Sequence, residues 1–90
     1  MLIALIARDK PGHLQTRLDN RDAHLAYIND TGVVAQAGPL LDQDGNMAGS
    51  LVILDVEDMA AGEAWAANDP YNKAGLFEAV ELITWKKVIG

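Results

Sequence analysis

Apolar residues run without a break from Leu2 to Ala7 and stop at the charged, turn-forming Arg8-Asp9-Lys10-Pro11-Gly12, a pattern that predicts a buried β-strand. From His13 to Asn29 the rhythm changes. Leu14, Leu18, Leu25 and Ile28 recur at helical spacing, and Asp30-Thr31-Gly32 supplies the stop. Val33 to Ala37 reads as a second strand ended by Gly38-Pro39, since proline lacks the donor that a central strand position requires. Leu40 to Met47 is an exposed connection whose Asp42-Gln43-Asp44-Gly45-Asn46 centre is turn chemistry, and it joins a hairpin to a third strand from Ala48 to Val56. Glu57-Asp58 opens a second helix, Met59 to Asn68, because carboxylates favour the positive end of the helix dipole; Asp69-Pro70-Tyr71 ends it. After a Lys73-Ala74-Gly75 turn, Phe77 to Val88 supplies a last strand in which Val80, Leu82 and Thr84 alternate with Glu81, Ile83 and Trp85.

The order is βαββαβ. Right-handed crossovers on both βαβ halves convert it into an α+β, ferredoxin-like arrangement: a four-stranded antiparallel sheet with two helices on one face. Ninety residues support one hydrophobic core and not two, so residues 1–90 are expected to form a single domain. If the other face of the sheet met water, the first and third strands would alternate apolar with polar. Instead Leu2 to Ala7 and Leu51-Val52-Ile53-Leu54 are apolar at every position. The chain has no spare element to cover them, whereas a second copy needs only one self-complementary surface, so a homodimer through the open sheet face is expected.

Half of the residues are apolar and 22% are charged, a balance that excludes intrinsic disorder. No apolar run approaches the roughly 20 residues needed to cross a bilayer, and no basic segment precedes Leu2 to Ala7, so that stretch reads as a strand and not a signal peptide. No membrane partner is expected. Cysteine is absent, which excludes disulfides, thiolate catalysis and zinc–thiolate sites and makes the cytoplasm the expected setting. The formal net charge is −6, and between Asp22 and Asn72 there are nine carboxylates and no Lys or Arg. Attraction to nucleic acid is not expected of such a chain. The basic residues lie toward the two chain ends, where neighbouring terminal strands can bring several together around a small anionic ligand.

Candidate chemistry begins on the first helix. On a wheel of roughly 100° per residue, Leu14, Leu18, Arg21, Leu25 and Ile28 share one stripe, with Arg17 and His24 on its shoulder. An arginine within an apolar stripe must find an anionic partner or run its stem over the core and place its head in a cleft. Arg17 and Arg21 also fit a snorkelling pair on a solvated shoulder. His24 is either an ordinary surface or core histidine or, through its near-neutral pKa as a residue type, a general base. Asp69, locked by Pro70 in the crossover that stacks beside the first helix, is its candidate partner; helix capping is the other account of the same residue. An aspartate that orients an imidazole fixes its tautomer and raises its basicity. Tyr71 follows directly and is a candidate for the pocket mouth, while Tyr27, Trp65 and Trp85 read as core or interface residues.

Arg17-Leu18, Arg21, His24-Leu25, Gly38-Pro39, Gly49-Ser50, Trp65 and Asp69-Pro70-Tyr71, followed by Gly75 and Lys86-Lys87-Val88, together resemble the YciI-like (YCII-related) proteins from Met1 to the last residues. The resemblance implies the dimeric ferredoxin-like α/β barrel and a pocket between helices and sheet with a paired histidine and aspartate at His24 and Asp69. It further implies Arg21 as a pocket residue for an anion and Ser50 as a hydrogen-bonding hydroxyl.

Two functional classes fit. In the first, His24 acts as general acid or base, Asp69 orients it and Arg21 holds an anionic group, in lyase or isomerase chemistry on a small organic acid or aromatic that needs no cofactor. In the second, the chain is a non-catalytic ligand-binding or regulatory dimeric module, since fold does not fix function. Other chemistry falls away. His13 and His24 are eleven residues apart without a carboxylate at ligand spacing, so no metal site is expected. Ser50 lacks the Gly-x-Ser-x-Gly context of a nucleophile elbow, and Gly45 and Gly49 lie in a hairpin with no helix N-terminus behind them to hold phosphate.

Overall fold

In the computed structural model, which describes residues 1–90, the alternation between strand and helix rhythms becomes eight elements. They are β1 (Leu2–Asp9), α1 (Leu14–Asp19), α2 (Arg21–Thr31), β2 (Val34–Leu41), β3 (Met47–Asp55), α3 (Met59–Asn68), α4 (Pro70–Lys73) and β4 (Phe77–Trp85). The strands form one sheet in the order β2-β3-β1-β4 with every neighbouring pair antiparallel. This is the ferredoxin-like protomer of the dimeric α/β barrel class. No helix is long and apolar enough to cross a membrane.

Register sorts the side chains between two faces, because directly paired residues project to the same side. Ile3, Leu5 and Ala7 of β1 pair with Leu54, Val52 and Ser50 of β3 and with Thr84, Leu82 and Val80 of β4. Five of these, Ile3, Leu5, Ala7, Val52 and Leu54, join Trp65 of α3 in the buried core. Gly62 of α3 lets that helix lie against the sheet: a Cβ there would come within 2.7 Å of Ile3 Cδ1. Gly49 serves the sheet itself, since a Cβ would run into the carbonyl oxygen of Ala7. The opposite face carries Leu2, Ala4 and Ile6 with Leu51 and Ile53 and with Ile83 and Trp85.

Three expectations need correction. The helix drawn from His13 to Asn29 is two, broken at Asn20, whose φ of −109° and ψ of 6° lie outside the helical range. Its leucine stripe consequently faces out: Leu14, Leu18 and Leu25 are exposed, whereas Arg17 and His24 are buried. Strand β2 does not stop at Gly38-Pro39 but continues to Leu41, which proline tolerates because β2 is an edge strand. The last strand ends at Trp85 and not Val88. The hairpin turn is built as its composition suggests, with Asp42 Oδ1 accepting from the amides of Asp44 and Asn46 at 2.9 Å each and Gly45 at a φ of 82°.

Candidate active site

Two buried side-chain pairs sit between the helices and the sheet. The first joins helix α2 to the α3–α4 corner: His24 Nδ1 lies 2.8 Å from Asp69 Oδ1. Asp69 is 1% exposed and its position is fixed twice over. It closes α3 with an extended backbone (φ −61°, ψ 126°), and the same Oδ1 accepts the amide of Tyr71 at 3.0 Å, capping α4, whose first residue is Pro70. Capping and pairing are therefore one arrangement. A carboxylate can only accept, so His24 Nδ1 carries a proton and donates it, and in the neutral ring the lone pair is on Nε2. Nε2 has no protein partner, and since no buried polar side-chain atom lacks one, Nε2 is reachable from the pocket that His24 lines.

The second pair joins α1 to the end of β1. Arg17 Nε and Nη2 donate to Asp9 Oδ2 and Oδ1, both at 2.8 Å, a bidentate geometry in which both side chains are nearly inaccessible. Asp9 follows Ala7 by two residues, so the alternation that puts Ile3, Leu5 and Ala7 on the helix-covered face puts the Asp9 side chain there too. Arg17 Nη2 also donates to Ser50 Oγ of β3 at 2.9 Å. Asp9 was invisible as a site residue because the sequence places it in an Arg-Asp-Lys-Pro-Gly turn; the usable signal was that a buried arginine requires a carboxylate, and the nearest turn supplies one.

Tyr71 links the two pairs. Its ring stacks on His24 with centroids 3.9 Å apart and planes 13° from parallel, and Arg17 Cζ lies 4.7 Å from its centroid. Burial pushes the Tyr71 phenol above its ordinary value, with the Asp69 carboxylate adding and Arg17 and Arg21 opposing, so it stays neutral through the physiological range. Arg17 is also held above its usual value: burial opposes the charge, but the hydrogen bonds and charge of Asp9 outweigh it.

These residues line a pocket of about 250 Å³. Its floor is Ser50 and Val52 of β3, its walls are His24, Leu25 and Ile28 of α2 with Arg17 and Tyr71, and the edge strand contributes Ala37 to Pro39. The sequence-derived set His24, Asp69, Arg17, Ser50 and Tyr71 converges here. Arg21 lines the same pocket but is exposed and hydrogen-bonds no protein carboxylate; the arginine with the buried anionic partner is Arg17. Chemically, the pocket offers one imidazole base, a fixed guanidinium, two hydroxyls and apolar walls wide enough for a single ring.

Residues 1–86 match the sequence model of the YCII-related domain. The chain is 40% identical to the protein YciI of Escherichia coli over 97 aligned residues, spanning 98% of this chain and 99% of that one. Among solved structures it is similar to 5-chloro-2-hydroxyhydroquinone dehydrochlorinase (TftG) from Burkholderia phenoliruptrix AC1100, crystallised with 2,5-dihydroxybenzoquinone. The TM-score is 0.86 and the identity 38%, over 96% of this chain and 94% of that one. A crystal structure of an antibiotic biosynthesis monooxygenase shares the fold, with a TM-score of 0.62 at 14% identity over 99% of this chain and all of the other.

Proposed function

The chain belongs to the YCII-related family, and on that footing we propose that it is a small enzyme that needs no cofactor and uses His24 and Asp69 for acid–base chemistry of the lyase or isomerase type. The observation that carries this reading is the 2.8 Å bond from His24 Nδ1 to Asp69, which commits the other ring nitrogen to the pocket as a proton acceptor. In the proposed reaction Nε2 removes a proton from a small, hydroxylated, aromatic or enolic substrate. Asp69 holds the ring in orientation and stabilises the imidazolium that forms. The similarity to a dehydrochlorinase supports elimination from a hydroxylated ring as the first reaction to try. Leu25, Ile28 and Val52 supply the apolar walls that such a ring requires, and Arg21 stands at the pocket as an exposed cation.

The same reading includes a second copy of the chain over the open sheet face. There Leu51 of β3 and Ile83 and Trp85 of β4 are 38%, 46% and 39% exposed and flank Leu2, Ala4 and Ile6 of β1 between them, the kind of apolar patch a monomer rarely leaves in water. The cysteine-free composition suits a reducing compartment, and we place the protein in the cytoplasm.

The test is a screen of halogenated and hydroxylated phenols, hydroxy acids and lactones against the wild type and His24→Ala. Turnover of at least one compound should fall by about 10²- to 10⁴-fold in the variant, the range for losing a general base. Equal turnover by both proteins, or none by the wild type across all three classes, would leave a binding module as the better account.

A further inference from the structure

The direction of one hydrogen bond beside the base says what the pocket expects to hold. Arg17 can only donate, so its contact of 2.9 Å to Ser50 Oγ fills a lone pair of that oxygen and leaves the hydroxyl hydrogen to be given elsewhere. Ser50 is 3% exposed, donates to no protein acceptor, and lines the pocket floor. Its hydrogen therefore points at whatever occupies the pocket. Arg17 is held in turn by both oxygens of Asp9, which fixes the guanidinium plane and uses Nε and Nη2 completely. The rest of the guanidinium lies against Tyr71, with Cζ 4.7 Å from the ring centroid. Ser50 therefore faces the ligand as a donor and the neutral imidazole nitrogen as an acceptor.

The charges make the same point. Asp9 neutralises Arg17, so the buried network carries only the charge of Asp69 while His24 is neutral, and none once His24 has taken a proton. Proton transfer from a ligand that enters neutral leaves the interior's net charge unchanged: the new imidazolium offsets Asp69, and the single negative charge moves onto the ligand.

We propose that Asp9 is a positioning residue which, through Arg17, turns Ser50 into a dedicated donor for an oxyanion, and that the substrate is accordingly a phenol or enol whose oxygen bears the charge left by His24. This rests on the reading of His24 as the base. The step balances without a co-reactant: the substrate's O–H bond breaks, the proton moves to Nε2, and the electron pair stays on the oxygen facing Ser50, from which it delocalises into the conjugated system.

The experiment compares binding of 2,5-dihydroxybenzoquinone, whose ring oxygens ionise, with its 2,5-dimethoxy ether, whose oxygens cannot, by titration calorimetry on the full chain. The wild type should prefer the dihydroxy compound, and Ser50→Ala should lower that preference by about tenfold or more, the loss of a hydrogen bond to a charged group. Asp9→Asn should lower the same ratio comparably, and the double variant should fall no further than the larger single effect, because both changes act on one hydroxyl. A merely damaged fold would weaken both ligands together and leave the ratio unchanged, so the ratio separates positioning from structure. If Asp9→Asn does not fold, the Ser50→Ala ratio still decides the oxyanion assignment. A wild-type preference that survives in Ser50→Ala and Asp9→Asn overturns this inference alone; a wild type that binds neither compound or both equally overturns the substrate class as well. Unchanged turnover in His24→Ala removes the proposed function beneath it.

Discussion

The two faces of this sheet carry opposite kinds of residues. Beneath the helices the interior is polar where it meets α1 and α2, with Arg17, Asp9, Ser50, His24 and Asp69 all but inaccessible and every buried side-chain nitrogen and oxygen paired. The other face is apolar, with leucine, isoleucine and tryptophan side chains in the open and no helix over them. In a small domain the interior is scarce, and burying ions in it costs stability that apolar residues would have supplied. The chain gives that space to a charged network and leaves its spare apolar surface outside. Such an arrangement makes sense when the covered face is built for chemistry and the bare face for association.

The comparison can be broken from either side. On the covered face the largest effect is expected for Arg17→Ala, which strands the buried Asp9 carboxylate: urea denaturation should show a loss of about 3–5 kcal/mol. A loss below about 1 kcal/mol would mean that the pair behaves as a surface ion pair. On the bare face, Ile83→Asp should weaken self-association by about 2 kcal/mol, the scale of an interface hot spot, while leaving the fold intact. Sedimentation should then show a micromolar wild-type dimer become a monomer, and a monomeric wild type would remove the need for a partner. Gly62→Ala tests how tightly α3 sits on the core; the flexible end of Ile3 must give way, so thermal melts should register a cost of about 1 kcal/mol. The smallest effect is alkaline. Tyr71 and Tyr27 both have phenols raised by burial, with Asp69 adding, so the folded state favours their neutral forms. That contribution is complete below the ordinary phenol value of 10.0 and is lost as pH rises through the raised folded values. Ultraviolet titration should show the two phenols ionising later in the folded chain than in urea.

How much of this could be read from the sequence follows from what each signal measures. Strand order was legible because β1 and β3 are uniformly apolar and the Asp42–Asn46 turn is unambiguous. The wheel failed on the first helix because it ranks faces by hydrophobicity. It selected Leu14, Leu18 and Leu25, although Arg17 and His24 lie at equally helical spacing and are the residues inside. Only their partners make that burial tolerable, and Asp9 and Asp69 are far from them in sequence or hidden in a turn. Pro39 misled for a similar reason: its cost depends on whether the strand is at an edge, which strand pairing decides and local composition does not. Topology, by stacking the two crossovers, made the proximity of His24 and Asp69 plausible and the family resemblance paired them, while the hydrogen-bond directions that give Ser50 its role exist only in three dimensions.

The central claim, that Asp69 fixes His24 with its proton on Nδ1 and its lone pair on Nε2, is tested most directly by long-range ¹H–¹⁵N correlation of the imidazole nitrogens in wild type and Asp69→Asn. At a pH where the ring is neutral, the wild type should show a protonated Nδ1 and an unprotonated Nε2, and the variant should lose that preference. A wild-type ring protonated on Nε2, or a tautomer unchanged by Asp69→Asn, would contradict it.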